Sequence, residues 1–556
     1  MSIRQYIRRH MYRWHRIASL IIAVPVFLWA LSGFMHPLMT NVRPQVATQK
    51  LQAPVIDTAK IRVSLADALR KNKIDSFSQF RLVTMHSNWF YQVKLPASKV
   101  LKYYSTENGK LLPDGDELYA RYLAKQFLEG DEQAAAEAKS HKMLASLKPE
   151  PLPGTATTVA AEALGGGDHD CCTNTMAAIM NVTKGAKVTT VQFKEQYDGE
   201  YKYVNRYLPA WKVSFNRPDG IRIYVETAQD RFAFAVDNKR AAFDTFFSLF
   251  HTLGWLDFMG RAKYIAEMLI MLLAVFTTVM GLYMFFTTKA KKAAGNAKVR
   301  ARRIHRFTSV TASLFTLLFT ISGGYHAFEK LKPDTRHLYF ADYRYAATEA
   351  AADWDKLDSA VGADRLITNL SLVQVQGERY WQVFNKSAKT MAHQAAAKGG
   401  KDLMKSMTVP PPNTLYVRAA DYTLLAGGEE QYARELATAF SGRPSDKIIA
   451  TNVVTKFEGE YGFVNKRLPV WKVGYAENSE ERYYVETSSG KLAAMVNDKD
   501  LAEGYSFALF HKHHFMDWGG KTTRDVSTMF WAAMQMMMVG VGLWFWWKSR
   551  QQRRSA

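Results

Sequence analysis

Cysteine is almost missing from this chain: its 556 residues hold two, adjacent at Cys171-Cys172. No disulfide framework can staple it, so its folded regions depend on ordinary apolar cores. Acidic residues are missing from three basic runs. Arg4, Arg8, Arg9, Arg13 and Arg16, then Lys289, Lys291, Lys292, Lys298, Arg300, Arg302, Arg303 and Arg306, then Lys548, Arg550, Arg553 and Arg554, have no Asp or Glu among them. A Gly-x-Gly-x-x-Gly strand-to-helix signature is also missing, which leaves no built-in flavin or nicotinamide domain of that kind.

What is present is a net charge of +22, for which nucleic-acid binding is the first reading in a soluble protein. Each basic run, however, abuts a hydrophobic segment, the positive-inside pattern of a membrane protein, and this reading displaces nucleic acid. Four apolar segments, at about 17–39, 264–287, 307–328 and 526–547, have the roughly 20 residues that a bilayer crossing needs. With basic ends inside, both termini are cytoplasmic, and residues from about 42 to 245 and 330 to 505 lie outside. The first segment has the basic start and apolar centre of a signal peptide. Its near-copy as the third segment argues that it stays in the membrane.

That copy belongs to a longer repeat. Tyr201-Lys202-Tyr203-Val204-Asn205-Arg206-Tyr207-Leu208-Pro209-Ala210-Trp211-Lys212-Val213 matches Tyr461-Gly462-Phe463-Val464-Asn465-Lys466-Arg467-Leu468-Pro469-Val470-Trp471-Lys472-Val473. Tyr224-Val225-Glu226-Thr227 matches Tyr484-Val485-Glu486-Thr487, and Leu249-Phe250-His251 matches Leu509-Phe510-His511. The chain therefore reads as two halves, about 1–290 and 296–556, each made of helix, external region, helix. The fold class is an α-helical membrane protein, with four transmembrane helices in a duplicated (2+2) bundle and two α+β external regions. Within the first external region, 211–215 and 221–225 alternate like half-buried strands around the turn signal Pro218-Asp219-Gly220, which predicts a hairpin. Ser64 opens a capped helix over 64–70, and 89–93 reads as a strand.

Six histidines recur at matched positions: His15 with His305, His36 with His326, and His251 with His511. Ionisable side chains at membrane depth are costly and usually functional. Across the pseudo-twofold axis of a duplicated bundle, equivalent imidazoles face each other, which suits them as axial ligands of one haem iron; zinc or copper would want three or four clustered ligands. The spacing of 21 residues from His15 to His36, repeated from His305 to His326, places the two about 60° apart around a helix and roughly 31 Å apart along it. Both can point inward, yet haems at the two levels would be nearly a bilayer apart. Either His251 or His511 draws the outer one inward, or aromatic residues or a third haem bridge the gap. His513 and His514 have no counterpart in the first half and are expected at the surface or the substrate side.

An insertion at about 130–185 carries Asp168-His169-Asp170-Cys171-Cys172 after three glycines. These are metal-ligand types, but adjacent cysteines do not easily turn to one tetrahedral ion, and a loop with free thiols or a vicinal disulfide is the plain alternative.

Trp14-His15-Arg16, His305-Arg306, Leu249-Phe250-His251-Thr252-Leu253-Gly254, Leu509-Phe510-His511 and the Leu-Pro-x-Trp-Lys-Val strands resemble the PepSY-associated transmembrane family of bacterial inner-membrane proteins. The resemblance covers nearly the whole chain apart from the insertion. It implies PepSY-like units in the external regions and places these in the periplasm; the apolar segments and the repeat divide the chain as 1–41, 42–245, 246–288, 289–306, 307–329, 330–505 and 506–556. Characterised members include haem-containing ferric-siderophore reductases, so the resemblance implies an oxidoreductase holding haem b, two copies on the pairing above, with His15, His251, His305 and His511 on iron. The expected acceptor is Fe(III), free or in a siderophore, and the expected donor a quinol or a separate flavoprotein. Two other readings stand beside it. One is a membrane-anchored PepSY module, held among membrane lipid by its helices, that binds a periplasmic peptide or protein without redox activity. The other, a transporter, has little support from four helices with Glu267 as the acidic residue at membrane depth.

Overall fold

The computed structural model describes residues 3–39, 42–96, 98–130, 186–289, 296–332, 341, 343–387, 408–476 and 481–554. The chain opens with helix α1, Ile3–Met39, and helix α2, Leu65–Lys71. Strands β1 Ser76–Phe77, β2 Gln79–Met85, β3 Asn88–Lys94, β4 Lys102–Ser105 and β5 Leu111–Leu112 lead to helix α3, Gly115–Glu129. Strands β6 Val188–Lys194, β7 Ala210–Phe215, β8 Arg222–Glu226 and β9 Arg231–Val236 follow, then helices α4 Asn238–His251, α5 Ala262–Thr287 and α6 Ala297–Leu331. Next come β10 Tyr345–Ala346, helix α7 Trp354–Val361, β11 Arg365–Val375, β12 Glu378–Ser387, β13 Thr414–Arg418 and helix α8 Gly428–Ser441. Strands β14 Ile448–Val454, β15 Val470–Tyr475, β16 Glu481–Glu486 and β17 Lys491–Asn497, then helices α9 Asp498–Ser506 and α10 Gly520–Arg554, complete the described elements.

These elements divide into two compact units. Met1–Arg43, Asn238–His337 and Asn497–Ala556 form a helical one, and Pro44–Asp237 with Leu338–Val496 a sheet-rich one. In the helical unit, His10–Met39, Ala262–Thr287, Ala297–Leu331 and His514–Gln551 are long and apolar enough to cross a membrane. Ile21, Val24, Leu269, Leu272 and Phe286 are exposed on them, as lipid-facing side chains are, whereas small residues such as Ser32, Ala274, Ala312, Ser322 and Gly323 are buried. Small buried side chains let helix backbones approach closely, and α1 packs on α5 and α10 while α6 packs on the same two. The helices outrun the apolar segments read from sequence, because helical hydrogen bonding continues through the basic flanks. His15, His36, His305 and His326 consequently lie inside continuous helices.

The sheet-rich unit holds antiparallel sheets ordered β2-β3-β4-β5, β6-β7-β8-β9, β11-β12-β13 and β14-β15-β16-β17, with the short pair β1-β10. The hairpin expected around Pro218-Asp219-Gly220 is present as β7 and β8, and Ser64 caps α2 by accepting from Asp67 N. Strands β7 and β8 pair Trp211 with Val225, and β15 and β16 pair Trp471 with Val485. Helix α3 covers β7 and β8 while α8 covers β15 and β16. Both helices start on a glycine for the same reason: a Cβ would come within 2.8 Å of Tyr103 Cβ at Gly115 and 2.7 Å of Tyr416 Cβ at Gly428.

At the centre of this unit lies a buried charge cluster. Arg231 on β9 donates to Glu486 on β16 at 2.5 and 3.0 Å, and Lys491 on β17 donates to Glu226 on β8. Arg467 reaches both carboxylates, Glu486 at 2.7 Å and Glu226 at 3.4 Å. Burial works to raise the Glu486 carboxyl, but Arg231 and Arg467 outweigh it and hold it at about 2. Burial pulls Lys491 down to about 8 against the opposing effect of Glu226.

Candidate functional site

The helical unit brings four of the six matched histidines together as two pairs. His15 on α1 faces His305 on α6 with ring centroids 6.5 Å apart and planes at 48°. His15 Nδ1 lies 3.0 Å from the Thr277 carbonyl of α5, and His305 Nδ1 lies 3.4 Å from Ser309 Oγ, one turn further on its own helix. Glycines face both rings. A Cβ at Gly281 would sit 3.4 Å from His15 Cε1, and one at Gly542 would sit 3.1 Å from His305 Cε1. Phe545 of α10 lies parallel to His305, with centroids 6.4 Å apart.

The second pair joins His251, the last residue of α4, to His511, which follows α9, with centroids 5.9 Å apart and planes at 80°. Its rings are held by serines of the long helices: Ser32 Oγ is 3.1 Å from His251 Nδ1, and Ser322 Oγ is 3.4 Å from His511 Nδ1. Phe247 stacks on His251 at 4.4 Å and Phe507 on His511 at 4.7 Å. His36 and His326 each approach one of those phenylalanines, 5.1 Å from Phe247 and 5.0 Å from Phe507. His326 also bonds Glu503 through Nδ1.

In all four paired rings Nδ1 has a polar neighbour, the arrangement that orients an imidazole and reserves Nε2 for coordination. Two imidazoles sharing one metal atom through bonds of about 2.0 Å have centroids roughly 6 Å apart, which is the separation in both pairs. Among the described residues no group of three or more His, Cys, Asp or Glu is placed to hold a bare ion. Paired rings, backbone clearance at the glycines and flanking aromatic side chains fit a flat, axially ligated group.

His513, expected at the surface or the substrate side, is not at the surface: its ring is wholly buried, because the chain turns inward after His511 and lays it between helices. It stacks on Phe319 at 5.2 Å, and its Nδ1 lies 3.0 Å from Ser527 Oγ. Sequence reading missed it for want of a matching histidine in the first half. His514 beside it bonds Asp517 at 2.7 Å. The candidate ligands Asp168, His169, Asp170, Cys171 and Cys172 lie outside the described residues.

No curated protein matches the chain. The description "PepSY-associated TM region" belongs to the family whose model matches residues 12–408, the greater part of the sequence, and the chain is a multi-pass membrane protein of that PepSY-associated transmembrane family.

Proposed function

We propose that the chain is an internally duplicated b-type haem protein of the bacterial inner membrane that passes electrons outward to periplasmic Fe(III), free or siderophore-bound. The observation that carries this reading is the pair of matched histidine pairs, His15 with His305 and His251 with His511, each at a spacing suited to one iron. Ser32, which holds His251, is 17 residues from His15 on the same helix, so the two levels are about 26 Å apart at 1.5 Å per residue. That is most of a bilayer's apolar depth.

Haem b, when bound, supplies one-electron iron chemistry. The chain's own part is positional. Thr277, Ser309, Ser32 and Ser322 orient the imidazoles, Gly281 and Gly542 leave them room, and the apolar helix faces keep water away. The basic runs keep both termini in the cytoplasm by the positive-inside rule, and the donor is a quinol or a separate flavoprotein. Dithionite reduction of the purified protein is expected to give a b-type haem spectrum; its absence overturns the reading. In that event the membrane-anchored PepSY module, binding a peptide or protein through its sheets, takes its place, and histidine variants then leave partner binding intact.

A further inference from the structure

The buried imidazole of His513 has no role in either pair. Its Nε2 has no hydrogen-bond partner although the residue is 0 % exposed, and an unsatisfied buried polar atom costs about 1–3 kcal/mol. The matching backbone position in the first half shows that the fold does not need this. Leu253 and His513 each precede a six-residue 3-10 turn, Gly254–Met259 and His514–Gly519, with φ of 44° and 54°. Leu253 is likewise buried. A leucine fills that left-handed corner with no polar atom to satisfy, whereas the histidine buries one there.

Its surroundings indicate what it would bind. Phe319 stacks on the ring at 5.2 Å, Phe315 and Phe515 each lie 5.2 Å from it, and Phe315 stacks in turn on Trp531 at 3.8 Å. Phe315, Phe319 and Trp531 are only partly buried, and Phe515 is exposed, so the aromatic wall borders the surface of the bundle. Phe319 also meets His511 edge-on at 5.5 Å, which puts the site one ring away from the second histidine pair. In the tautomer whose Nδ1–H donates to Ser527 Oγ, Nε2 is a bare acceptor in apolar, aromatic surroundings.

We propose that His513, with Phe315, Phe319 and Ser527, forms the site for a membrane-borne quinol, whose hydroxyl donates to Nε2. This rests on the redox reading above and names its electron donor. Oxidation of one quinol breaks both O–H bonds and leaves the quinone. Two ferric ions outside take one electron each, and the two protons are released to water. The lipid-soluble substrate reaches the site sideways past Phe515, which suits a chain without a nicotinamide or flavin signature.

The test uses the full chain in lipid nanodiscs, with decylubiquinone as the probe for binding by tryptophan quenching and decylubiquinol for reduction. His513→Leu, which copies the side chain found at position 253, is expected to weaken binding and to slow quinol-driven reduction about tenfold or more, the loss of one buried hydrogen bond. The dithionite-reduced spectrum should be unchanged. Unaltered binding, or loss of a haem band in His513→Leu, overturns the proposal. If that variant does not fold, Ser527→Ala decides, since it frees Nδ1 but keeps the ring: weakened quinone binding supports the site and unchanged binding overturns it. A wild-type protein without a haem spectrum overturns the redox reading instead, while quinone binding still reports on the site.

Discussion

Arg231 meets Glu486 at 2.5 Å although 255 residues separate them, and the residues at the matching positions, Lys491 and Glu226, meet in the reverse sense. Each repeat thus lends its cation to the other's carboxylate, the reciprocity expected of an isologous interface. Arg467 lies between and serves both glutamates. Replacing Arg467 with Ala leaves two buried carboxylates short of a partner and is expected to destabilise the sheet-rich unit by about 3–5 kcal/mol. A fall in the tryptophan-monitored unfolding transition of the purified full chain checks this.

The same cluster gives a pH dependence. The folded Glu486 carboxyl lies at about 2, below its ordinary 4.5. A depressed folded value means that its contribution is fully present above about pH 4.5 and is lost as the pH falls through about 2. Melting curves over that window should show a steep loss for the native chain and a shallower one for Glu486→Gln. Equal slopes would assign the acid sensitivity to other groups.

Much of this was legible because it is local. The hairpin of β7 and β8 follows from alternation and the Pro218-Asp219-Gly220 turn, and Ser64 announces its own helix cap. The pairing of His15 with His305 was readable because the 21-residue spacing recurs and a repeat implies an axis. Helix ends were not, since basic flanks extend α1, α6 and α10 beyond their apolar segments. The burial of His513 was illegible for another reason. A polar residue after a helix reads as surface, and its burial depends on the positions of Phe315, Phe319 and Ser527, all far from it in fold elements or sequence.

Asp116 is a buried carboxylate that accepts from Trp211 Nε1 at 2.9 Å and Tyr103 OH at 3.0 Å. Burial raises its pKa, with those hydrogen bonds acting in the opposite direction. Asp116→Ala strands the indole and phenol donors, each at about 1–3 kcal/mol. The expected result is a lower unfolding transition, with any haem spectrum of the wild-type chain left intact, since Asp116 belongs to the sheet-rich unit.

On the proposed haem reading, His15→Ala and His305→Ala should each remove the same haem, and the double variant should lose no more than either single one, because two residues acting as one site are not additive. Gly542→Val offers a gentler version. Its Cβ would lie 3.1 Å from His305 Cε1, so the ring must shift while its nitrogen is retained. A broadened or diminished contribution from that haem, with the other unchanged in the dithionite-reduced spectrum, is the expected result.

Ser32 and Ser322 separate orientation from ligation. Each hydroxyl approaches Nδ1 of a second-pair histidine, at 3.1 and 3.4 Å, and neither would touch iron. Removing a hydrogen bond behind a ligating imidazole commonly costs about 10–100-fold in affinity for the metal group or in activity. Ser32→Ala has the shorter contact and should show the larger effect, seen as faster haem loss to apomyoglobin and a shifted midpoint potential for one haem. Ser322→Ala should move the same haem, because His251 and His511 form one pair. If the two variants affected different haems, the pairing itself would be wrong, and His36 or His326, each one phenylalanine away, would be the ligands to replace next.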